Sequence, residues 1–499
     1  MRSNERPLRI IKYLGIDFGS SNTSVVGVCE KDSWKENVFL LTDTKHLNGV
    51  FPSIMLELPS DNPKPDDYFC FGKAKEMYNE DCIEEGTQIF YHTIKEDLLG
   101  TSNEAEARAR IFFHRLIERL LKSDSLIKGE DYDLSRLESV YFGFPAYYNE
   151  QVCKNYCEKM ERILREVFEE CLNKDVKIYG APEPVLAGRA YNAANAENFH
   201  EGKTVLVLDL GGYTMDIALL TAEKDADETM QLRNSGCVSL EANSSVPVGK
   251  NITTNLKNKL YGERKCSHFD YGLDNSKCEL FSGTKDHIDA LASYLVNGEE
   301  NVSYRLQYTV VESATGNDNV ITIGFNGTPG TKNISFQTTT IDNAVGFIDW
   351  YLTKVYTKVD RKVDYVLFTG GTAKIKPLRD GILQGIKDWL TPDKPQEAEL
   401  LMDNNNFEFS SITRDKLSSE NAVALGAALT AAGICKPLDD MASPSKGKKE
   451  DKDKKIEELE AKLKERTMER DLERLKLGEL SEAEAKRLVE EYKKRFSSN

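Results

Sequence analysis

The sequence has no long apolar run and no excess of positive charge, and these absences exclude two classes of partner. No stretch approaches the roughly 18–20 consecutive apolar residues that span a bilayer, so we expect no membrane segment. The 66 lysines and arginines are outnumbered by 82 aspartates and glutamates, which gives a formal net charge of −16. Such a chain offers no basic face to replace the counterions of nucleic acid. Neutral or basic proteins remain as partners.

The sequence also lacks a metal-binding pattern among its ten cysteines. Cys153 and Cys157 are four residues apart, and Cys266 precedes His268 by two, but neither pair supplies the four ligands of a structural zinc site. Read as reduced thiols, the cysteines fit a reducing compartment. Residues 1–19 lead directly into an apolar strand pattern, so we expect no signal peptide and a cytoplasmic location.

What the sequence does contain is the stretch VLVLDLGGYTMDIALL at 205–220, in which acidic residues and glycines interrupt an apolar run. An ordinary turn explains such a pattern when it stands alone, since glycines adopt positive φ and a carboxylate can cap its own turn. A phosphate site is the other explanation, and it needs a second such stretch elsewhere in the chain to be preferred. Glycines let backbone N–H groups approach a polyphosphate, and a carboxylate at a strand end faces a bound Mg²⁺.

A second stretch, YLGIDFGSSNTSVVGV at 13–28, favours the phosphate site. Both stretches have an apolar run, an aspartate, a glycine two residues later, small or hydroxylated residues and another apolar run. Asp17 aligns with Asp209, and Asn22 aligns with Thr214. Two such hairpins far apart in the chain predict duplicated lobes that face each other, each contributing one phosphate loop and one carboxylate to a shared cleft.

The 499 residues allow two to four domain-sized units. Helices rich in alanine and glycine at 184–196 and 421–434 would suit two lobes that cross and pivot, although any tightly packed helix pair has this composition. The predicted divisions are lobe I at 1–200, lobe II at 201–436 with an inserted subdomain at about 239–345, a charged flexible linker at 437–454 and a helical module at 455–499.

The C-terminal module is predicted to be a helical hairpin with an apolar face. Its first helix covers 455–477 and ends at Gly478, and a capping box at 481–484 begins the second. The apolar face of the second helix consists of Ala485, Leu488, Val489, Tyr492 and Phe496. Such a face either packs on its own chain or docks on a protein partner or a second copy of the chain.

Five motifs follow one another along residues 10–436: GIDFGSSNT, PEPVLAGRAY, LDLGGYTMDIALL, LFTGGTAKIKPL and ENAVALGAALTAA. Together they resemble the nucleotide-binding domain of the heat-shock protein 70 (DnaK-type) chaperones, in the actin/hexokinase ATPase superfamily. The resemblance implies an α/β, two-lobed actin-like ATPase fold of duplicated ribonuclease-H-like lobes. It also implies ATP or ADP and Mg²⁺ as cofactors.

The resemblance implies a catalytic centre of carboxylates. Asp17 and Asp209 would hold Mg²⁺ through its water shell. Glu183 would lie beside the metal and the attacking water, and Asp216 would help to orient that water. Taken alone, Glu183 before a proline could simply cap a helix.

The resemblance also implies a catalytic lysine and a set of nucleotide contacts. Lys75 of FGKAKEM would be the lysine, with Lys73 as the alternative because the alignment contains a one-residue gap. Either one, taken alone, reads as a solvated surface residue. The residues implied to contact nucleotide are Gly19, Ser20, Ser21, Asn22, Gly211, Gly212, Tyr213, Thr214, Gly249, Lys277, Ser282, Gly370, Gly371 and Lys374.

The resulting prediction is a heat-shock-70-like ATP-binding protein, a slow Mg-dependent ATPase whose nucleotide state gates interaction with a protein partner or client through the C-terminal helices. An actin-like filament-forming ATPase is the alternative. The chaperone branch is favoured because Glu183 places a carboxylate, and not an amide, at the position that faces the attacking water. A nucleotide-binding scaffold with little turnover is a further alternative. It is favoured by Tyr213 in place of a glycine, by Cys278 in place of the family's adenine-stacking arginine, and by the absent acidic–leucine linker.

Overall fold

The computed structural model places most of the first 241 residues and several later segments. The described residues are 8–41, 50–60, 67–77, 89–91, 93–100, 102–121, 131–146, 150–195, 199–241, 305–312, 319–326, 333–336, 344, 346, 348, 363–374, 376–390, 417 and 421–437. They form several sheets and helices, which confirms the predicted mixed α/β class. Within these ranges, every helix is too short or too polar to cross a membrane.

The strands are named in chain order. They are β1 (Leu8–Ile10), β2 (Tyr13–Phe18), β3 (Asn22–Val28), β4 (Val38–Leu40), β5 (Val50–Pro52), β6 (Met55–Glu57), β7 (Tyr68–Cys70), β8 (Ile89–Tyr91), β9 (Asp131–Asp133), β10 (Ser139–Phe144), β11 (Lys177–Pro182), β12 (Thr204–Leu210), β13 (Thr214–Lys224), β14 (Met230–Glu241), β15 (Arg305–Glu312), β16 (Asn319–Asn326), β17 (Asn333–Phe336) and β18 (Tyr365–Thr369).

The α-helices are named in the same way. They are α1 (Gly72–Met77), α2 (Ile94–Leu99), α3 (Asn103–Leu121), α4 (Glu150–Leu172), α5 (Glu183–Ala194), α6 (Lys376–Leu390) and α7 (Ala422–Ala431). Short 3₁₀ helices cover Trp34–Glu36 and Gly371–Lys374.

Two sheets repeat one arrangement. In the six-stranded sheet, with the order β11-β10-β2-β3-β4 and β5 also on β3, the hairpin β2–β3 is antiparallel and β10 runs parallel to β2. In the four-stranded sheet, β14-β13-β12-β18, the hairpin β12–β13 is antiparallel and β18 runs parallel to β12. Each hairpin is extended by an antiparallel strand, β4 or β14. The hairpins that the sequence aligns therefore occupy equivalent places.

One core lies between the six-stranded sheet and the paired helices α3 and α4. The Phe18 ring from β2 contacts Phe112 and Phe113 of α3, with ring centroids 5.4 and 4.9 Å away. The buried residues of α4 recur every three or four positions: Met160, Ile163, Leu164, Val167 and Phe168. This spacing is that of one helical face, so burial of the face fixes α4 against the sheet.

The second core is built on α5 and α7, which pack directly on each other as their small residues predict. Helix α7 also contacts β2 and β10, and α5 contacts β12 and β14, so the pair links the two sheets. A methyl group built on Gly426 would lie 1.8 Å from the Leu186 carbonyl oxygen, and one on Gly15 would lie 2.0 Å from the Ala424 carbonyl oxygen. Backbone therefore meets backbone at this crossing.

Replacing Gly426 by alanine is expected to destabilise the protein by about 1–3 kcal/mol, since the methyl group collides with main-chain atoms that cannot rotate away. Gly346→Ala is the matched control, because no described residue lies within 4 Å of the added methyl group. Denaturant unfolding of the two variants makes the measurement. Equal stability of the two would contradict the packing described here.

The predicted division of the chain into lobes, linker and module stays a prediction. The helical module at 455–499 and residues 438–454 of the linker lie outside the described residues, as does most of the insertion at 239–345. Three strands of that insertion, β15 to β17, form an antiparallel sheet of their own.

Candidate active site

The two glycine loops, residues 19–22 and 211–214, close with the same hydrogen bond. The Gly19 N–H donates to the Asn22 carbonyl at 2.9 Å, and the Gly211 N–H donates to the Thr214 carbonyl at 2.9 Å. The strand pairs behind them also match, because Asp17 lies opposite Ser24 and Asp209 lies opposite Asp216. The two stretches that align in sequence thus also have the same backbone hydrogen bonding.

The two loops face each other at close range. A methyl group built on Gly212 would lie 2.5 Å from Ser21 Oγ, so the second loop approaches the first to within side-chain contact. The first loop is braced by Ser53, whose Oγ donates to the Gly19 carbonyl at 2.7 Å. The second is braced by Thr372, whose Oγ1 donates to the Gly211 carbonyl at 2.8 Å. Neither brace is identifiable from the sequence, since each pairs a hydroxyl with a distant loop.

Three carboxylates converge beside these loops. Glu183, Asp209 and Asp216 are buried, and one oxygen of each lies within 4.8 Å of the others. Glu183 begins α5, where Pro184 suits the first helical turn and the negative charge is favoured at the helix N-terminus. Asp17, predicted as a metal ligand with Asp209, is partly buried and lies outside this 4.8 Å group.

Neighbouring strands hold Asp216 in place. The Thr214 hydroxyl donates to Asp216 Oδ2 at 2.7 Å, and the Ser239 hydroxyl of β14 donates to Oδ1. Ser239 is the residue opposite Asp216 in the β13–β14 register. A carboxylate with both oxygens engaged in this way presents a fixed orientation to whatever binds next to it.

A buried lysine that the sequence does not single out completes the group. Lys95, from α2, donates to Glu183 Oε1 at 2.5 Å, and both side chains are about 95% buried. Of the lysines predicted for this role, Lys73 is exposed, whereas Lys75 belongs to α1 and its side chain lies outside the described part of the chain. One sequence signal exists, because Lys95 shares a helical arc with the buried residues Ile94 and Leu98.

Burial and mutual repulsion shift the pKa values of the aspartates around Glu183, and those carboxylates shift the pKa of Lys95. Burial, reinforced by the charge of Glu183, raises the pKa of Asp17 to about 7 and that of Asp216 to about 7. Burial also raises the pKa of Asp209, with Asp216 the main charge contributing. For Lys95, burial alone would lower the pKa, but Glu183 and Asp17 outweigh it and raise the pKa. One ammonium therefore faces an excess of carboxylates.

This excess fits a hard divalent cation. Mg²⁺ prefers carboxylate and water oxygens, and it usually binds through only one or two carboxylates. Glu183, Asp209 and Asp216 supply oxygen donors of this type within one small volume. A cation there would offset the repulsion that raises the aspartate pKa values.

The predicted adenosine motif adjoins the carboxylates. Gly370 has a φ of +85°, and a methyl group on it would lie 2.4 Å from Asp209 Oδ1. Glycine is therefore required there both by backbone conformation and by space. The chain continues through Gly371 into the 3₁₀ helix that ends at Lys374.

The other predicted contacts divide into two sets. Ser20 and Tyr213 are partly buried on the two loops, and Ser21 and Asn22 are exposed there. Three predicted nucleotide contacts lie outside the described residues: Gly249, Lys277 and Ser282.

No family model matches the chain, and no curated protein matches it either. The function is therefore inferred from the geometry and the motifs. The decisive features are two equivalent loops in contact, a group of buried carboxylates and one buried lysine.

Proposed function

We propose that the protein binds ATP and ADP with Mg²⁺ and hydrolyses ATP slowly, on a two-lobed actin-like fold similar to the nucleotide-binding domain of the heat-shock 70 chaperones. The observation that carries this proposal is the contact between two equivalent glycine loops beside Glu183, Asp209 and Asp216. A polyphosphate needs donors on more than one side, and loops meeting across a cleft provide them.

The repeated sheet arrangement supports the two-lobed fold. The hairpins β2–β3 and β12–β13 hold equivalent positions, and each is followed along the chain by a parallel strand on the same side. Helices α5 and α7 cross between the sheets with main-chain contact at Gly426. Such a crossing is rigid in itself but lets the sheets on either side rotate, as closure on a nucleotide requires.

The residues have distinct roles in the proposed reaction. Asp209 and Asp216 would hold Mg²⁺, which when bound neutralises phosphate charge. The backbone N–H groups of the two loops would donate to phosphate oxygens. Glu183 would orient the attacking water and accept its proton. Lys95 would hold Glu183 in position and place positive charge beside the transferred phosphoryl group.

A nucleotide-binding scaffold with little turnover is the second candidate, and the buried ion pair favours it. Lys95 already engages Glu183 at 2.5 Å, so the carboxylate must loosen from this ammonium before it can accept a proton. Hydrolysis would be slow or absent, depending on how far a bound nucleotide separates Lys95 from Glu183. In either case we propose that nucleotide state gates a protein partner bound through the C-terminal helices.

Isothermal titration with ATP, ADP and GTP, with and without Mg²⁺, followed by single-turnover hydrolysis, tests the proposal. Asp209→Asn is expected to weaken Mg-nucleotide binding at least tenfold or to slow hydrolysis at least about 100-fold, because it removes a charge that faces the metal. Asp227→Asn, at an exposed turn beyond the opposite end of β13, is the control and should behave as wild type. Wild-type binding and turnover in Asp209→Asn would refute the metal site.

A further inference from the structure

One face of α4 contacts the end of β10 near its start and the end of α2 further along. Near its start, Cys153 Sγ contacts the Pro145 carbonyl that follows β10. Two turns later, Lys159 Nζ donates to the Leu98 carbonyl at 3.1 Å and to the Gly100 carbonyl. Tyr156 is one turn from each of these residues on the same face. This face therefore points toward the segment that carries Lys95.

Tyr156 is a buried side chain whose hydroxyl lacks a hydrogen bond. The residue is 1% exposed, and its hydroxyl has no hydrogen-bond partner among the described residues. An unsatisfied buried polar group costs about 1–3 kcal/mol, and native proteins nearly always avoid it with a protein group or an ordered water. Phenylalanine would fill nearly the same space without a buried hydroxyl, and so without this cost.

The surroundings of the hydroxyl are acidic. Burial raises the pKa of the Tyr156 phenol, and the charges of Glu183, Glu96 and Asp17, with the Cys157 thiol, raise it further. The hydroxyl therefore stays protonated as a donor. It lies on the face of α4 that contacts the end of α2, the helix whose Lys95 engages Glu183. A water molecule would satisfy the hydroxyl, since water can accept from the phenol and donate to a carboxylate.

We propose that Tyr156 is a positioning residue that donates a hydrogen bond to a water molecule shared with the Glu183 carboxylate. Lys95 engages Glu183 through Oε1. A bridged water from Tyr156 gives the carboxylate a second attachment, so that Glu183 keeps its orientation when nucleotide draws Lys95 away. The kinetic consequence rests on the proposed ATPase function, but the bridge itself does not.

Two measurements on the full chain test this inference, with Tyr191→Phe as the matched control. Tyr191 is equally buried, but its hydroxyl already donates to the Phe368 carbonyl at 3.1 Å. In a high-resolution crystal structure of the wild type we expect a water within hydrogen-bond distance of both Tyr156 and Glu183, and in Tyr156→Phe we expect that water to be lost. A dry site, or a direct protein partner for the hydroxyl, overturns the inference.

The second measurement is steady-state kinetics. Tyr156→Phe should lower kcat for ATP about five- to fiftyfold and leave KM within about twofold, since the water acts through Glu183 and not on nucleotide binding. Tyr191→Phe should leave both constants unchanged. An unchanged kcat in Tyr156→Phe, with an active wild type, overturns the positioning role. An inactive wild type refutes the proposed ATPase instead, and the crystallographic result then decides the inference.

Discussion

Replacing Lys95 by methionine is expected to slow single-turnover ATP hydrolysis about 100-fold or more, whereas Lys75→Met should change the rate less than about threefold. Lys95 is the lysine that the structure places against Glu183, at 2.5 Å and with both side chains buried. Glu183, Asp17 and Asp216 all act upon its ammonium, which stays protonated because they raise its pKa. Removing it takes away a positive charge, additional to that of the proposed Mg²⁺, at the moment phosphate charge must be stabilised.

Methionine keeps the length of the lysine stem, so the change isolates the charge. The loss of a buried counter-ion also destabilises the protein, so melting temperatures are measured in parallel and rates are taken well below them. Lys95→Arg retains the positive charge and should recover part of the rate. A larger loss in Lys75→Met than in Lys95→Met would instead place the catalytic lysine on α1, where the family resemblance put it.

The glycine loops were predictable because their signal is repeated. An aspartate followed by glycine at the end of an apolar run is ambiguous once, but the same arrangement twice predicts two facing loops. In the structure the two loops close with matching hydrogen bonds, from the Gly19 and Gly211 N–H groups. The crossing helices were predictable for a related reason, since alanine and glycine are the residues that permit close approach.

The roles of Lys95 and Tyr156 were not predictable, because the residues around them are brought near only by the fold. A lysine in a short amphipathic helix is normally solvated, and nothing in its own segment indicates a partner 88 positions further along the chain. A tyrosine on a long helix is normally core. Similarly, Ser239 becomes meaningful only when the β13–β14 register places it opposite Asp216. Pairings of this kind depend on tertiary structure, which local periodicity does not encode.

Asp216→Asn is expected to make the metal-free protein more stable than wild type above pH 7 and equally stable near pH 4. Folding raises the pKa of Asp216 from 3.8 to about 7, because the carboxylate is buried beside Glu183. Between these values the folded state binds more protons than the unfolded state, so the stability of the wild type falls as the pH rises. Above pH 7 the full cost is present, on the order of 2–4 kcal/mol at most for a shift of this size.

Asparagine has the shape of a protonated aspartate, so the variant escapes this cost and still accepts a hydrogen bond from Thr214 or Ser239. Asp225→Asn is a control of opposite sign. Asp225 pairs with Lys436 at 2.7 Å, and the hydrogen bond from that lysine lowers the pKa of Asp225. Its stabilisation is present at neutral pH and disappears as the pH falls, so Asp225→Asn should be less stable than wild type at pH 7.

Denaturant unfolding from pH 4 to pH 8.5, with and without Mg²⁺, separates the possible origins of this effect. Mg²⁺ should stabilise the wild type more than Asp216→Asn, because the cation offsets the repulsion that the substitution has already removed. If Asp216→Asn is less stable than wild type at every pH, its hydrogen bonds outweigh the electrostatic cost. If Mg²⁺ stabilises both proteins equally, the cation binds elsewhere. The carboxylates of Glu183, Asp209 and Asp216 then repel one another without forming a metal site.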